Sequence, residues 1–351
     1  MNTLRTIYNQ MGDSLSQEIF KDRLLYSVTD EYEYIEKIFH EILNVYTKTD
    51  TEVYTFCMKA KRDKGGVVLY GTGTVAPMLE RYLEHIRCPI IAYCDADVNK
   101  QHIGYKNQKV YSPIELCTMY PEEYILISVN NPILISEIIE NLIGMGIQKE
   151  RIQSGAKYMG IQYFDERIDI PRDREGIFID GGGLDLSTVL QYFNWTKCNN
   201  KQAISFEPDA INYQKCINTL YRCEKTGIKI IPKGLWSKAG TLHFIENGNH
   251  MSKITDEETG CVEIDVTSID EVLEDRKCCF IKLDIEGAEL EALKGAEKTI
   301  KRDRPILAVC VYHKKEDIWE IPSYILSLVS DYKFFLRPYA PNHEECILYA
   351  I

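Results

Sequence analysis

The segment KFFLRPYAPNHEECILYA (residues 333–350) contains two short apolar runs that lie close together in the chain. The runs are Lys333–Leu336 and Cys346–Ala350, and the Pro-containing stretch Arg337–Glu345 between them leaves no room for a crossover helix. Parallel neighbours in a sheet need such a crossover, whereas antiparallel neighbours need only a turn. The segment therefore predicts an antiparallel hairpin at the edge of a sheet.

The residues before this hairpin alternate between short apolar runs and helix-like segments, beginning near Gly176. We predict strands at Gly176–Asp180, Ala203–Glu207, Lys229–Pro232, Phe280–Asp284 and Ile306–Tyr312, and helices at Ser187–Asn194, Ile211–Cys223, Glu289–Lys301 and Ile318–Asp331. Such alternation predicts an α/β fold with a parallel sheet and helical crossovers. A parallel sheet that is closed by an antiparallel strand resembles the Rossmann-like sheet of class I methyltransferases, whereas a dehydrogenase sheet stays parallel throughout.

Three regions of the chain differ in pattern. We predict a helical N-terminal segment (1–62), a smaller Rossmann-like α/β domain (63–160) and the domain with the hairpin (161–351). In the middle region the strand Val67–Tyr70 ends in the G-x-G-x-x-A turn Gly71–Ala76, and Asp95 follows 24 residues after Gly71. That pattern is typical of dinucleotide binding. Binding of a nucleotide or nucleotide-sugar and a purely structural or dimer-forming role both stay open.

The bulk composition excludes several classes of protein. A net charge of −12 without a run of Lys or Arg argues against nucleic acid as the partner, because phosphate binding needs concentrated positive charge. No apolar stretch approaches the roughly 18 residues of a membrane-spanning helix, and Met1–Phe20 lacks the apolar centre of a signal peptide. The 12 cysteines are scattered without a C-x-x-C pair, which favours buried reduced thiols over disulfides or a zinc site. We therefore expect a cytoplasmic protein.

The first two predicted strands of the C-terminal domain end in residues that suit a nucleotide-like cofactor. The first strand ends in the turn Asp180-Gly181-Gly182-Gly183-Leu184-Asp185, whose glycines allow a tight turn and close approach of a ligand to the backbone. The second ends in Glu207-Pro208, 27 residues after Asp180. A carboxylate at that place can accept hydrogen bonds from two ribose hydroxyls, although a solvated surface glutamate is the alternative.

The later strands end in acidic residues and a histidine. The run CFIKLDIEGAEL (residues 279–290) places Asp284, Glu286 and Glu289 after a strand, and His313 follows the next strand. Because ligands bind beyond the carboxyl ends of parallel strands, we expect these side chains in the crevice. They could act as general bases or bind a hard cation, while Glu289 could simply favour the start of a helix. The spacing is not that of a known metal motif, so no metal is predicted.

Four of these motifs, in this order, resemble the signature of the FkbM family of methyltransferases. They are Phe206–Asp209, Ile281–Glu289 with Lys294–Ala296, Arg304–Val309, and Tyr312–Lys314 with Asp317–Trp319. The resemblance implies that the turn from Asp180 to Asp185 and Glu207 hold S-adenosylmethionine, with Trp236 and Ser237 flanking its adenine. It also implies that Asp284, Glu286 and His313 face the acceptor, with His313 or Asp284 as the base. The chain departs from the family at Leu186, where a glycine is common.

We therefore predict an S-adenosylmethionine-dependent O-methyltransferase that acts on a hydroxyl of a sugar or carbohydrate-like metabolite. The expected partner is a small-molecule or glycan acceptor, without nucleic acid or membrane, and the protein could form a homo-oligomer. The alternative is a non-catalytic nucleotide- or nucleotide-sugar-binding protein with a degenerate methyltransferase domain, which the leucine at position 186 would favour.

Overall fold

The computed structural model describes residues 3–49, 51–129, 131–155, 162–245, 253–254, 261–340 and 343–351. The chain forms two compact units, a larger one of Met1–Ile35 with Tyr163–Ile351 and a smaller one of Glu36–Gln162. The end of the smaller unit lies near the expected boundary, but the N-terminal helices are divided between the units.

The division of the N-terminal helices follows from their packing. Helices α1 (Thr3–Gln10) and α2 (Ser14–Thr29) belong to the larger unit, where the Ser16 hydroxyl accepts a hydrogen bond of 3.0 Å from the backbone N–H of Leu336. They are followed by α3 (Glu33–Thr49) and α4 (Thr51–Lys64). Helix α4 instead buries Val53, Cys57 and Ala60 completely, as part of the smaller unit.

The smaller unit contains a five-stranded parallel sheet in the order β3-β2-β1-β4-β5. Strand β1 consists of four buried apolar residues, as expected for a central strand covered on both faces. Its elements are β1 (Val67–Tyr70), α5 (Ala76–His85), β2 (Ile90–Cys94), α6 (Val98–Ile103), β3 (Val110–Tyr111), α7 (Pro113–Met119), β4 (Tyr124–Ile127), α8 (Pro132–Gly144), a 3-10 turn (Lys149–Arg151) and β5 (Ile152–Ser154).

The larger unit continues with strands and crossover helices in alternation. Its elements are β6 (Ile177–Gly181), α9 (Ser187–Trp195), β7 (Gln202–Phe206), α10 (Ala210–Cys223), β8 (Ile228–Ile231), β9 (Gly234–Leu235), β10 (Gly240–Ile245), β11 (Lys253–Ile254), β12 (Val262–Thr267), α11 (Ile269–Leu273), β13 (Cys278–Leu283), α12 (Glu289–Lys294), α13 (Glu297–Asp303), β14 (Ile306–Cys310), α14 (Asp317–Leu328), β15 (Phe334–Pro338) and β16 (Cys346–Ala350).

The main sheet has seven strands in the order β15-β16-β14-β13-β6-β7-β8. All neighbouring pairs from β14 to β8 are parallel, and β16 runs antiparallel to both β14 and β15. The predicted α/β fold with an antiparallel hairpin is therefore confirmed. The last strand of the hairpin lies inside the sheet, however, and β15 forms its edge. A second sheet of four short strands has the order β11-β10-β12-β9.

The single helix expected at Glu289–Lys301 is instead two helices, α12 and α13. The break falls at Gly295 and Ala296, where a Cβ on Gly295 would lie 2.1 Å from the carbonyl oxygen of Trp236. Only glycine permits this approach of the two backbones, so packing overrides the helical pattern.

The core beneath the sheet is rich in aromatic rings. Phe178 on β6 and Phe280 on β13 are paired in register, and Phe178 stacks on Tyr192 of α9 at 4.3 Å between ring centroids. Phe164 and Trp195 pack against the same rings. All 12 cysteines are free, and no helix in the described ranges is long and apolar enough to cross a membrane.

Candidate functional site

The predicted cofactor turn and the predicted acidic strand end are direct neighbours at the carboxyl edge of the main sheet. Gly182 has φ +85°, and a Cβ on it would lie 2.0 Å from the carbonyl oxygen of Asp284. The backbone N–H of Asp284 donates a 3.2 Å hydrogen bond to the carbonyl of Gly181. The turn after β6 therefore runs against the end of β13, and glycine is required where the two segments meet.

Asp180 is fully buried and takes part in a network inside the turn. Its Oδ2 accepts a 2.7 Å hydrogen bond from Ser205, and its Oδ1 lies 3.2 Å from the ammonium of Lys282. The ammonium also donates to the carbonyls of Gly181 (2.9 Å) and Gly182 (2.8 Å). Burial by itself would lower the pKa of Lys282, but the carboxylates of Asp180 and Asp284 raise it above its usual range. Lys282 is therefore a cation that holds the glycine turn from below.

Glu207 closes the other side of the turn. Its Oε2 accepts a 2.7 Å hydrogen bond from the backbone N–H of Leu184, and its Oε1 accepts one of 3.0 Å from Asp209. A Cβ on Gly183 would lie 2.5 Å from the Ser205 hydroxyl, so the third glycine lets the end of β7 approach. Burial raises the pKa of Glu207 to about 7, against the lowering effect of the two backbone donors. Pro208 follows directly, and Asp209 caps α10.

Asp185 and Leu186 form the junction between the turn and α9. The Asp185 side chain accepts a 3.0 Å hydrogen bond from the backbone N–H of Ser187. Leu186 has φ +69°, in the left-handed region that favours glycine. The Leu186 side chain is fully buried among the aromatic core residues. The Leu186 side chain therefore packs in the core and does not point into the glycine turn.

The segment that was expected to flank adenine follows β9. Leu235 reaches the glycine turn, since a Cβ on Gly181 would lie 3.0 Å from its Cδ1. The half-buried Trp236 donates from its backbone N–H to the carbonyl of Thr267 at 2.9 Å, and the hydroxyl of Ser237 hydrogen-bonds to Glu291. The structure thus brings β9 beside the turn, while the described contacts of Trp236 and Ser237 are with α11–α12 and the strand before them.

Asp284 is oriented by two tyrosines. The Tyr163 hydroxyl donates a 2.6 Å hydrogen bond to its Oδ2, and the Tyr312 hydroxyl donates one of 3.2 Å to its Oδ1. Sequence reasoning missed Tyr163, which lies 121 residues before its partner. It also missed Lys282, although a lysine in the apolar strand Cys278–Leu283 was a usable signal, because a buried charge requires a partner.

His313 lies among three carboxylates. Its Nε2 is 3.6 Å from Oδ1 of Asp284 and 3.5 Å from Oε2 of Glu286, and its Nδ1 is 2.9 Å from Oε1 of Glu289. Burial alone would lower the pKa of His313, but Glu289, Glu286 and Asp284 raise it to about 11. One donor atom from each of Asp284, Glu286 and His313 lies within 4.8 Å of the others, a spacing that a metal ion could bridge.

In the smaller unit, Asp95 makes its contacts with its own glycine turn. Its Oδ2 accepts 2.8 Å hydrogen bonds from both the backbone N–H and the hydroxyl of Thr72, and it lies 3.0 Å from the Lys100 ammonium. Its Oδ1 accepts from the N–H of Asp97 at 3.0 Å. Asp95, which belongs to the pattern typical of dinucleotide binding, thus fixes the conformation of the Gly71–Ala76 turn.

Residues 179–336 match the family model of the Methyltransferase FkbM domain. Among solved structures, the chain is similar to a methyltransferase FkbM from Methylobacillus flagellatus (19% identity, TM-score 0.44, 90% of this chain and 99% of that one). It is also similar to an rRNA methylase from Streptococcus thermophilus (14% identity, TM-score 0.33, 51% of this chain and 87% of that one). A third similar structure is an SAH-bound methyltransferase from Podospora anserina (11% identity, TM-score 0.31, 62% of this chain and 87% of that one). No curated protein sequence matches the chain.

Proposed function

We propose that this chain, whose residues 179–336 match the FkbM methyltransferase family model, transfers a methyl group from S-adenosylmethionine to a hydroxyl of a sugar or carbohydrate-like metabolite. The observation that carries the proposal is the meeting of Gly182 with the end of β13, where an added Cβ would lie 2.0 Å from the carbonyl of Asp284. A cofactor in the glycine turn and an acceptor at the acidic strand end would then be neighbours, as direct transfer requires.

The residues around the turn fit the cofactor. Glycine at all three positions lets the turn lie close to the ends of β7 and β13, Gly182 is partly exposed, and Lys282 holds the carbonyls of Gly181 and Gly182 in place. Each oxygen of Glu207 is bound by one backbone N–H and retains a lone pair that suits a ribose hydroxyl. S-adenosylmethionine, when bound, supplies an electrophilic methyl group, so the protein's part is to align the acceptor oxygen and receive its proton.

On the acceptor side we assign Asp284 and Glu286 as the groups that accept the hydroxyl proton. The side chains of Asp284 and Glu286 are 24% and 27% exposed, whereas that of His313 is 8% exposed and both of its nitrogens face carboxylates. Together with Tyr312, these residues offer several hydrogen-bonding groups within a small area, which suits a polyhydroxylated acceptor such as a sugar or glycan. His313 then positions the two carboxylates.

The alternative of a non-catalytic binding protein rested on Leu186. Because that side chain is buried in the core, it does not fill the glycine turn, and the observation in favour of a degenerate domain is lost. The glycine turn, Glu207 and the acidic end of β13 lie at the same edge of the sheet, which supports the enzyme over the binding protein.

Calorimetric titration of S-adenosylhomocysteine into the full chain and its Glu207→Gln variant tests the cofactor site. Loss of a hydrogen bond to a charged group weakens binding roughly 10- to 100-fold. The matched control is Glu297→Gln, since Glu297 is half exposed and pairs with Lys301 at the surface, away from the glycine turn. Absence of binding to the unmodified chain, or equal affinity in both glutamate variants, would contradict the proposal. Transfer of a labelled methyl group to a panel of sugars, glycans and phenols then identifies the acceptor class.

A further inference from the structure

We propose that Asp284, Glu286 and His313 form a binding site for a divalent metal cation. The role of this cation in catalysis rests on the proposed methyltransferase function, but its binding can be measured independently of that function. The three residues follow two neighbouring strands, β13 and β14, and their donor atoms converge at the carboxyl edge of the sheet.

The distances between the donor atoms fit a cation. His313 Nε2 is 3.6 Å from Asp284 Oδ1 and 3.5 Å from Glu286 Oε2. Two ligands that are each about 2.1 Å from an ion are separated by about 3.0 Å in octahedral and about 3.4 Å in tetrahedral coordination. An ion between the three side chains would therefore reach each at an ordinary bond length after shifts of a few tenths of an ångström.

His313 is the observation that separates this site from a surface cluster of acids. Its side chain is 8% exposed, and its Nε2 has no hydrogen-bond partner with acceptable geometry among the described residues. A buried imidazole nitrogen that faces two carboxylates without a hydrogen bond is in the arrangement of a metal ligand. Without an ion, the same arrangement leaves a buried polar atom unsatisfied, which is unfavourable.

The surrounding contacts are those expected around metal ligands. Metal-binding histidines commonly direct their second nitrogen to a carboxylate, and Nδ1 of His313 lies 2.9 Å from Oε1 of Glu289. Glu289 is itself held by the backbone N–H of Ile285 at 2.9 Å. Ligating carboxylates are likewise hydrogen-bonded, and Asp284 accepts from the hydroxyls of Tyr163 and Tyr312.

The charge and chemistry of the site select the kind of ion. Three carboxylates surround one imidazole, so the site carries excess negative charge unless a cation or a proton is bound. Mixed imidazole and carboxylate ligands suit first-row divalent ions such as Mn²⁺ better than Ca²⁺, which prefers oxygen alone. An ion there would lie where we place the acceptor hydroxyl, and could lower the pKa of that hydroxyl.

Titration of the chelator-treated full chain with Mn²⁺, followed by electron paramagnetic resonance, tests the site. We expect one saturable site whose affinity falls on the order of 100-fold in His313→Ala and in Glu286→Gln, since even removal of supporting residues costs 10- to 100-fold. Glu297→Gln serves as the control and should bind like the unmodified chain. No saturable binding, or undiminished affinity in both variants, would overturn the inference and leave a proton on His313 as the compensating charge.

A second measurement separates this inference from the proposed function. S-adenosylhomocysteine binding in the same variants reports whether the fold and the cofactor turn are intact. Retained S-adenosylhomocysteine binding without Mn²⁺ binding in the unmodified chain refutes the metal site alone. Saturable Mn²⁺ binding without S-adenosylhomocysteine binding refutes the proposed methyl transfer and leaves the metal site standing. Because Glu286 is partly exposed, its variant gives a result even if His313→Ala fails to fold.

Discussion

Replacement of Lys282 by methionine should destabilise the larger unit severely. The variant keeps a side chain of similar length but removes the ammonium that lies between Asp180 and the carbonyls of Gly181 and Gly182. Asp180 would remain fully buried with Ser205 as its hydrogen-bond partner. A buried carboxylate without a counter-charge must either bind a proton or draw water into the core.

The magnitude follows from the burial of the pair. The side chains of Lys282 and Asp180 are 3% and 0% exposed, so solvent screens their interaction very little. Removal of one partner from a buried ion pair costs about 3–5 kcal/mol. This is a large part of the roughly 5–15 kcal/mol by which a typical domain is stable. The matched surface variant, Lys301→Met, breaks only an exposed pair with Glu297 and should cost less than about 1 kcal/mol.

Urea unfolding followed by tryptophan fluorescence measures the effect in the larger unit alone. The three tryptophans, Trp195, Trp236 and Trp319, all lie in that unit. We expect the loss caused by Lys282→Met to be smaller when Asp180 is also changed to Asn, because the double variant leaves no unpaired charge. A loss below about 1 kcal/mol for Lys282→Met, or strict additivity in the double variant, would refute the reasoning.

Three further predictions concern the glycine turn. In Leu186→Gly, glycine removes the strain of a left-handed backbone, which costs a leucine about 1–2 kcal/mol, but the variant also loses a fully buried side chain that stabilises the fold by about 2–5 kcal/mol. The urea midpoint of unfolding should therefore fall. A rise in the midpoint would show that backbone strain outweighs packing. Burial raises the pKa of Glu207 from 4.5 to about 7, so the folded chain binds a proton that the unfolded chain has released, and stability should fall as pH rises through this interval. S-adenosylhomocysteine should bind about tenfold more tightly at pH 8 than at pH 6, because only the ionised carboxylate accepts both ribose hydroxyls, and Glu207→Gln should abolish this dependence.

The sheet could be predicted from the sequence because its signals are local. Short connections and apolar runs indicate which segments are strands, and the segment after Leu336 is too short for a parallel crossover. The place of β16 between β14 and β15 could not be predicted, because its pairing with β14 joins residues about 40 positions apart in the sequence. Neither of the two apolar runs carries a pattern that indicates this pairing. The break in the helix at Gly295 likewise depends on contact with Trp236, nearly 60 residues earlier.

Contacts between residues that are distant in the sequence also limited what could be predicted of the candidate site. Asp284, Glu286 and His313 could be placed together from the sequence because the carboxyl ends of neighbouring parallel strands meet at one edge. Their mutual distances depend on side-chain conformations, so the convergence on His313 was not predictable. Tyr163 comes from the connector before the sheet, which carries no periodic pattern. The cofactor roles of Trp236 and Ser237 remain predictions, as do the roles of the other site residues.

The position of β16 also bears on how the chain is synthesised. Every other strand of the main sheet leaves the ribosome before Cys346–Ala350, yet this strand separates β14 from β15. Until it emerges, one edge of β14 has no hydrogen-bonding partner, and the apolar residues that the finished sheet buries there are exposed. Strand β15 also has no neighbour in the sheet at that stage. Open edges of this kind pair readily with other chains. We therefore expect nascent chains to depend on chaperones until that last strand of the sheet is released and fills the gap.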